Sequence, residues 1–449
     1  MDNQLRKKSH FSQTRFLVVG FLLIITIGSL LLMTPIASSD RTVTPFLDCL
    51  FTSVSATCVT GLVVTDTFTQ WSLFGQLVIL CMIQIGGLGF ITIGVMFSLI
   101  LRQRIGLKMR GLLQESVNTV QIGGVIRLAK KILKGTLIIE GAGALILSIR
   151  FSFDFGVPRG IYYGVFHSIS AFCNAGFDLF GINTPYESLT SYAGDPVVNI
   201  VISALVIIGG IGFMVWDDIT INKLNFRKYH LHTKVVLITT AFLLVSGTIL
   251  FYIVEYNNTM QGMNVAERIM ASFFSSVTAR TAGFNTIDTA QLLPASKLLT
   301  IVLMFIGGSP GSTAGGIKTT TIFVLIISLW ASINNKPKTA VFRRRFEDDA
   351  IRKASTVFML NLLLAVSAVF IILACNRLPF DDIIFEVFSA IGTVGMSTGI
   401  TRELNTVSRI VIMILMFCGR VGSLSFALSF LHKKKIPPVY YPEEKISIG

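Results

Sequence analysis

The sequence predicts an all-α membrane protein of four tandem units, each a span, a re-entrant loop and a second span, arranged around one axis. Three observations predict it. Only 14% of the 449 residues are charged and 52% are hydrophobic, with a mean hydropathy of +0.71; soluble proteins carry about 25% charged residues. One pattern, a Phe ten residues before a Gly, occurs four times: Phe51 to Gly61, Phe166 to Gly176, Phe273 to Gly283 and Phe385 to Gly395. Each copy lies between two long apolar runs, and Lys and Arg gather in the links between units and at both chain ends.

In chain order, residues 1–15 are basic and polar. A first unit covers 16–101, with spans at Phe16–Ile36 and about Leu73–Leu101. The start also resembles a signal peptide, but Phe16–Ile36 is long for its apolar core and the same unit recurs without that context. A basic link, 102–131, leads to a second unit, 132–216, with spans at about Ile132–Ile149 and Val197–Trp216. After the link 217–234 comes a third unit, 235–330, whose second span is broken. The link 331–353 and a fourth unit, 354–431, precede a tail, 432–449, that opens with His432 and three lysines. About 20 apolar residues cross a bilayer, so the segments of 10–14 before each glycine are re-entrant. The net charge of +14 reflects the positive-inside bias of a membrane protein rather than nucleic-acid binding. It places both termini and the basic links in the cytoplasm of a multi-pass cell-membrane protein. The units then share one orientation and form eight transmembrane helices around a single pore.

The repeated glycine turn suits a cation filter. A dehydrated cation needs carbonyl oxygens in place of its hydration shell, and four chain segments supply a ring. Backbone that approaches an axis this closely leaves no room for a side chain. The candidate ion-binding residues are Val59, Thr60, Gly61, Asn174, Ala175, Gly176, Thr281, Ala282, Gly283, Thr393, Val394 and Gly395. The short helices would aim their negative C-terminal ends at the cavity. His167 reads as a polar face of such a helix, and the six cysteines read as small buried apolar residues rather than a disulfide or zinc framework.

The second spans repeat a glycine pair at Gly86-Gly87, Gly209-Gly210 and Gly307-Gly308, with Gly419 in the fourth. Close helix packing explains the first two. The third unit departs: Gly307, Gly308, Ser309, Pro310, Gly311, Ser312, Thr313, Ala314, Gly315, Gly316 and Lys318 form a polar, helix-breaking stretch inside an apolar span. Such backbone must line a wet path or be buried in protein. The stretch nearly matches a phosphate-binding G-x-x-x-x-G-K-[ST] loop, but one residue too many precedes Lys318 and the strand–helix context is missing. Arg420 lies within the last span, where a charge is costly and functional by default. It either faces the third-unit stretch and holds its carbonyls, or pairs with a carboxylate. Glu140 and Arg280 are similar intramembrane charges, and Arg280 is expected to brace the outer face of the third turn.

The four motifs, TCVTGL at Thr57–Leu62, CNAGF at Cys173–Phe177, ARTAGFN at Ala279–Asn285 and GTVGM at Gly392–Met396, resemble the filter loops of the Trk/Ktr/HKT potassium transporter superfamily. Length and span number most resemble the Ktr integral membrane subunits of the KtrB/KtrD type, over essentially the whole chain. The resemblance implies a K+-channel-like fold and potassium uptake, with K+ as the transported ion. It implies a gating loop at Gly307–Lys318 with Arg420, a homodimer, and a cytosolic ring of nucleotide-binding regulatory subunits of the KtrA/KtrC type. Gly61 resembles the potassium-favouring pattern, while Cys58 stands where the family has Thr. No cofactor is expected on this chain, and nucleotide only on the regulatory partner.

Other classes fit less well. A cation-binding subunit of an ATP-driven pump would need a separate ATPase chain. A proton- or sodium-coupled symporter predicts inverted repeats and paired mid-membrane acids. An enzyme would need an acid–base or nucleophile constellation, and the sequence offers none.

Overall fold

A computed structural model describes residues 13–89, 92–94, 111, 124–182, 184–223, 225–335, 339–342, 344–423, 426, 442 and 444. Four long helices are apolar enough to cross a membrane: α1 (Gln13–Leu32), α4 (Val125–Phe155), α8 (Leu231–Glu255) and α12 (Asp348–Cys375). Each precedes a short helix that ends just before a repeated glycine: α2 (Phe46–Cys58), α5 (Val157–Phe172), α9 (Val265–Thr278) and α13 (Phe380–Gly392). These have 13 to 16 residues, too few to cross a bilayer. Beyond the glycines start α3 (Leu73–Leu88), α6 (Pro196–Gly210), α10 (Pro294–Phe305) and α14 (Thr406–Val421). Ser72, Asp195 and Asn405 cap three of these with side-chain oxygens, and Pro294 opens α10. Each satisfies, or removes the need for, an orphan amide at the helix start.

Packing closes these elements into a cycle. α3 packs on α5, α6 on α9, α10 on α13, and α14 back on α2. Polar ties mark three of the four seams. Tyr162 Oη donates to Gln76 Oε1 at 2.9 Å, Lys297 reaches Asp381 and Asp382 at 2.8 Å each, and Arg409 reaches Asp48 at 2.7 Å. The phenylalanines Phe51, Phe166 and Phe385 are fully buried beneath this cycle. The third copy differs: Phe273 is 36% exposed and Phe274, one residue later, is 2% exposed. The third segment therefore has one residue fewer between its packed Phe and its glycine than the other three, and Phe274 takes the buried place that the spacing assigns to Phe273.

The helices after the glycines do not run straight, contrary to the expectation for the second unit. α6 turns by 96° into α7 (Phe213–Asn222). The hinge is Gly212, with φ of +97°, a conformation that only Gly adopts without strain. Gly89 ends α3 and Gly422 ends α14 with φ of +80° and +92°. In the third unit the break is longer, from Ile306 to Lys318, before α11 (Thr319–Ile333). The glycine pairs just before these breaks have a separate cause. A methyl on Gly86, Gly209 or Gly419 would lie under 3.0 Å from the carbonyl oxygen of Thr57, Phe172 or Ile391, at the end of the short helix of the same unit. Cys49, Cys58, Cys173 and Cys418 are buried, but Cys81 and Cys375 are exposed on helix surfaces. Much of the continuation of the first and last units, and of the basic links, lies outside the described residues.

Candidate ion-coordinating ring and the loop beneath it

The four repeated glycines meet in one closed ring. A methyl on Gly61 would lie under 3.0 Å from the carbonyl oxygen of Ala175; on Gly176, from that of Ala282; on Gly283, from that of Val394; on Gly395, from that of Thr60. Each glycine thus abuts the carbonyl before the next glycine, and the last returns to the first. All four have φ between +69° and +93°.

The backbone leading into the ring repeats in three units. Val59, Asn174 and Thr393, two residues before their glycines, are left-handed with φ of +57°, +58° and +51°. Positive and negative φ therefore alternate up to the glycine. That alternation turns successive carbonyls toward one side, whereas in a strand successive residues face opposite ways. The conformation is held from below. The amides of Thr60, Ala175 and Val394 donate to the carbonyls of Ser55, Ser170 and Ser389. The hydroxyls of Ser55 and Ser389 accept the amides of Gly61 and Gly395 at 3.1 Å each, and Ser170 Oγ donates to Phe177 O at 2.7 Å. These serines, six residues before three of the glycines, are ring components that are not among the candidate residues named from the sequence. The third segment, one residue shorter between its packed Phe and its glycine, has no left-handed residue before Gly283. Thr278 takes the serine's place, its Oγ1 donating to Phe284 O at 2.5 Å. Replacing Ser389 by Ala removes one hydrogen bond of about 1 kcal/mol. The expected result is a protein less stable by about that amount, measured as a lower thermal midpoint with expression unchanged.

Among the described residues, Thr60 Oγ1, Asn174 Oδ1 and Thr393 Oγ1 are buried without a hydrogen-bond partner. Buried oxygens are normally satisfied, so the ring region offers acceptors beyond its carbonyls. On one side of the ring lies a vestibule of about 190 Å3 lined by Asp66, Asp178, Asp288 and Arg402. The second unit's longer loop straps this vestibule. The Tyr186 amide donates to Asp66 at 2.9 Å, the Leu189 amide to Asn285 O at 3.0 Å, and Arg402 stacks 4.1 Å over the Tyr186 ring. His167 is a structural brace: its Nε2 accepts the Leu179 amide at 3.2 Å and its Nδ1 lies 2.7 Å from Tyr163 O.

On the other side lies the Gly307–Lys318 stretch. Ile306 and Ile317 bridge its base, and the Thr319 amide donates to Gly308 O. The α6–α7 elbow holds it from the side. Ser309 and Thr313 amides donate to Gly210 O and Gly209 O, and the Phe213 amide donates to Gly311 O at 2.7 Å. Thr313 is the hub. Its Oγ1 donates to Phe172 O at 3.0 Å and accepts from Asn174 Nδ2 at 3.0 Å, so it touches both the end of α5 and a ring residue. A methyl on Gly315 would collide with Thr393, and one on Gly307 with Gly315 O. Lys318 Nζ folds back onto Ala314 O at 2.7 Å. Pro310, Gly311, Ser312 and Gly316 complete the loop, with Ser312 Oγ donating to Ser309 O.

Arg420 joins three elements. Its guanidinium donates to Thr313 O in the loop and to Gly86 O and Gly87 O at the end of α3, the last at 2.8 Å. No carboxylate pairs with it among the described residues, so these carbonyls stand where an ion-pair partner would. A cavity of about 320 Å3 opens beside it, lined by Gly311, Ser312, Lys318 and Gly422. Arg280 departs from expectation. It is buried beside Gly210, Thr281 and Gly308, on the loop side of the ring rather than the vestibule side, in the one segment whose packed Phe stands nine rather than ten residues before its glycine. Glu140 is buried behind the second segment, where Gln84 Nε2 donates to it at 3.2 Å.

Comparison with known proteins agrees with this architecture. The family model TrkH, described as a cation transport protein, matches residues 5–437. The chain is 43% identical to the Ktr system potassium uptake protein B of Bacillus subtilis, over 98% of this chain and 97% of that one. It is 41% identical to the potassium/sodium uptake protein NtpJ of Enterococcus hirae, over 100% and 99% of the two chains. The crystal structure of the potassium transporter TrkH from Vibrio parahaemolyticus shares the fold, with a TM-score of 0.73 at 18% identity, over 96% of this chain and 87% of that one. By family model and full-length relatives alike, the chain belongs to the TrkH family of cation transport proteins.

Proposed function

We propose that this chain is the ion-conducting membrane subunit of a potassium uptake system, and that the four-glycine ring is its selectivity filter. The observation that carries this reading is the ring's closure, in which each glycine abuts the carbonyl preceding the next. Carbonyl dipoles replace the hydration shell of a monovalent cation. The ends of α2, α5, α9 and α13 point their partial negative charge toward the same place. The acidic vestibule faces outward and concentrates cations, and the basic links and both termini face the cytoplasm. In this reading the chain has four units and eight transmembrane helices. K+ enters down its electrochemical gradient, to which the membrane potential contributes about 2.3 kcal/mol per charge per 100 mV.

The Gly307–Lys318 loop is the gate. It sits beneath the ring, tied by Thr313 and Arg420 to ring segment, elbow and α3. Among the described residues every tie is a hydrogen bond to backbone or hydroxyl, so the loop can leave without separating an ion pair among them. The chain acts as a homodimer, and a cytosolic ring of nucleotide-binding subunits, of the kind implied by the resemblance to Ktr systems, moves the loop through the basic links.

The test is uptake in cells deficient in potassium transport that express this chain together with its regulatory partner. Rb+ or K+ accumulation is the expected result, and its absence with the protein present in the membrane sinks the reading. NtpJ is named for potassium and sodium uptake, so Na+ is measured alongside. Na+ flux equal to K+ flux would favour a non-selective cation path.

A further inference from the structure

We infer that a groove on the membrane-facing side of the α6–α7 elbow binds one anionic phospholipid, with its acyl chain in the groove and its phosphate at the lysines of α4. The elbow creates the groove. Where α6 turns by 96° into α7, it leaves a cleft of about 410 Å3 against α4, lined by Ile132, Ile138, Ile139, Ile208, Ile211 and Trp216. Ligand clefts run from about 300 to 1,000 Å3. The lining is apolar apart from Lys131, Lys134, Asp217 and Thr220. Trp216 is fixed in the wall, since its Nε1 donates to Ile208 O at 3.0 Å.

Depth in the membrane identifies the occupant. From Lys131 to Arg150, which pairs with Asp154 and Asp195 at the other end of α4, the helix rises roughly 28 Å, close to the ~30 Å hydrocarbon thickness. Lys131 therefore lies at the headgroup level, Lys134 reaches it from one turn deeper, and Ile138 and Ile139 lie among the acyl chains. A soluble ligand does not reach such a cleft, and a zwitterionic headgroup offsets its own phosphate charge, leaving that of the lysines unbalanced. Lys131 is paired with Asp217 at 2.5 Å. Lys134 is exposed, with Arg127 and Lys130 exposed on the turns before it. Charge complementarity favours a lipid phosphate that carries net negative charge.

The position has a consequence for the loop. Phe213 lines this groove, and its amide holds Gly311 of the loop at 2.7 Å. A lipid seated here packs against the elbow that holds the loop.

Native mass spectrometry of the full chain in detergent tests the site with phosphatidylglycerol against phosphatidylcholine of the same acyl chains. Each interfacial basic residue is worth about a fivefold preference for the anionic lipid. One tightly retained phosphatidylglycerol is expected, with phosphatidylcholine retained several-fold less. Lys134→Gln should lower the preference about fivefold. Asp217→Asn, which frees Lys131, should raise it, an effect that a purely structural role for the pair would not produce. Ile138→Trp changes a side chain that is 59% exposed, so it leaves the fold intact while filling the groove, and it should abolish retention. Equal retention of the two lipids, or no response to Lys134→Gln, overturns the inference. So does efficient cross-linking of Ile138→Cys to a second copy in membranes, which would make the groove a chain–chain interface. None of these readouts depends on ion transport.

Discussion

Replacing Arg420 with Gln is expected to raise steady-state Rb+ flux through the reconstituted protein about tenfold. Two effects act in the same direction. The guanidinium donates to Thr313 O in the loop and to Gly86 O and Gly87 O at the end of α3. A hydrogen bond from a charged group is worth about 1.5–3 kcal/mol. Losing the one that holds Thr313 shifts a seated–unseated equilibrium by about a factor of ten or more. The substitution also removes a positive charge beside the cavity under the ring, which lowers the Coulomb barrier to an approaching cation. Arg420→Lys separates the two effects. It keeps the charge but cannot span the loop and α3 with one planar fork, so a smaller rise is expected. Lower flux for Arg420→Gln at normal expression would mean that Arg420 organises the path rather than obstructing it. Deleting part of Gly308–Gly316 should likewise raise flux, since it removes the obstruction itself.

Gly395→Ala is expected to abolish K+ over Na+ discrimination while the protein still inserts and folds. The new methyl would lie under 3.0 Å from Thr60 O and Gly61 Cα. These are backbone atoms of the neighbouring ring segment and cannot rotate away. The residue would also hold φ at +89°, which costs an L residue roughly 1–2 kcal/mol. The ring must widen on that side, and its carbonyls lose their common distance from the axis. Gly399→Ala is the control. Its φ is +104°, but a methyl there meets only the Arg402 side chain, at 3.2 Å, and that side chain can move. Backbone strain without ring contact should leave selectivity in place. Gly61→Ser and Gly283→Ser should weaken K+ preference by the same mechanism as Gly395→Ala.

The sequence carries the ring well and the machinery around it poorly, for identifiable reasons. Four glycines that must each abut a neighbour's carbonyl cannot be replaced, so Gly61, Gly176, Gly283 and Gly395 stand out as a repeat. The serines that hold the ring are less visible, since Ser55, Ser170 and Ser389 resemble ordinary small residues of membrane helices. A register shift of one residue in the third unit is invisible where two phenylalanines are adjacent. Spacing selects Phe273, and only burial shows that Phe274 is the packed one. The same shift carries Arg280 from the vestibule side to the loop side. The breaks at Gly89, Gly212 and Gly422 escape notice because Gly is frequent in membrane helices for close packing, and the neighbouring Gly86, Gly209 and Gly419 do pack closely. The third-unit loop is legible because its polar residues contradict the apolar span around them. Its hub, Thr313, is not, because its role depends on Gly209, Phe172 and Asn174, more than a hundred residues away.

The most direct test of the ring as a filter is anomalous diffraction from crystals of this protein grown in Rb+. A Rb+ peak is expected on the axis, at similar distances from the carbonyl oxygens of Thr60, Ala175, Ala282 and Val394, and it should disappear in Gly395→Ala. Rb+ bound elsewhere in a protein that transports it, with the ring empty, would contradict the account.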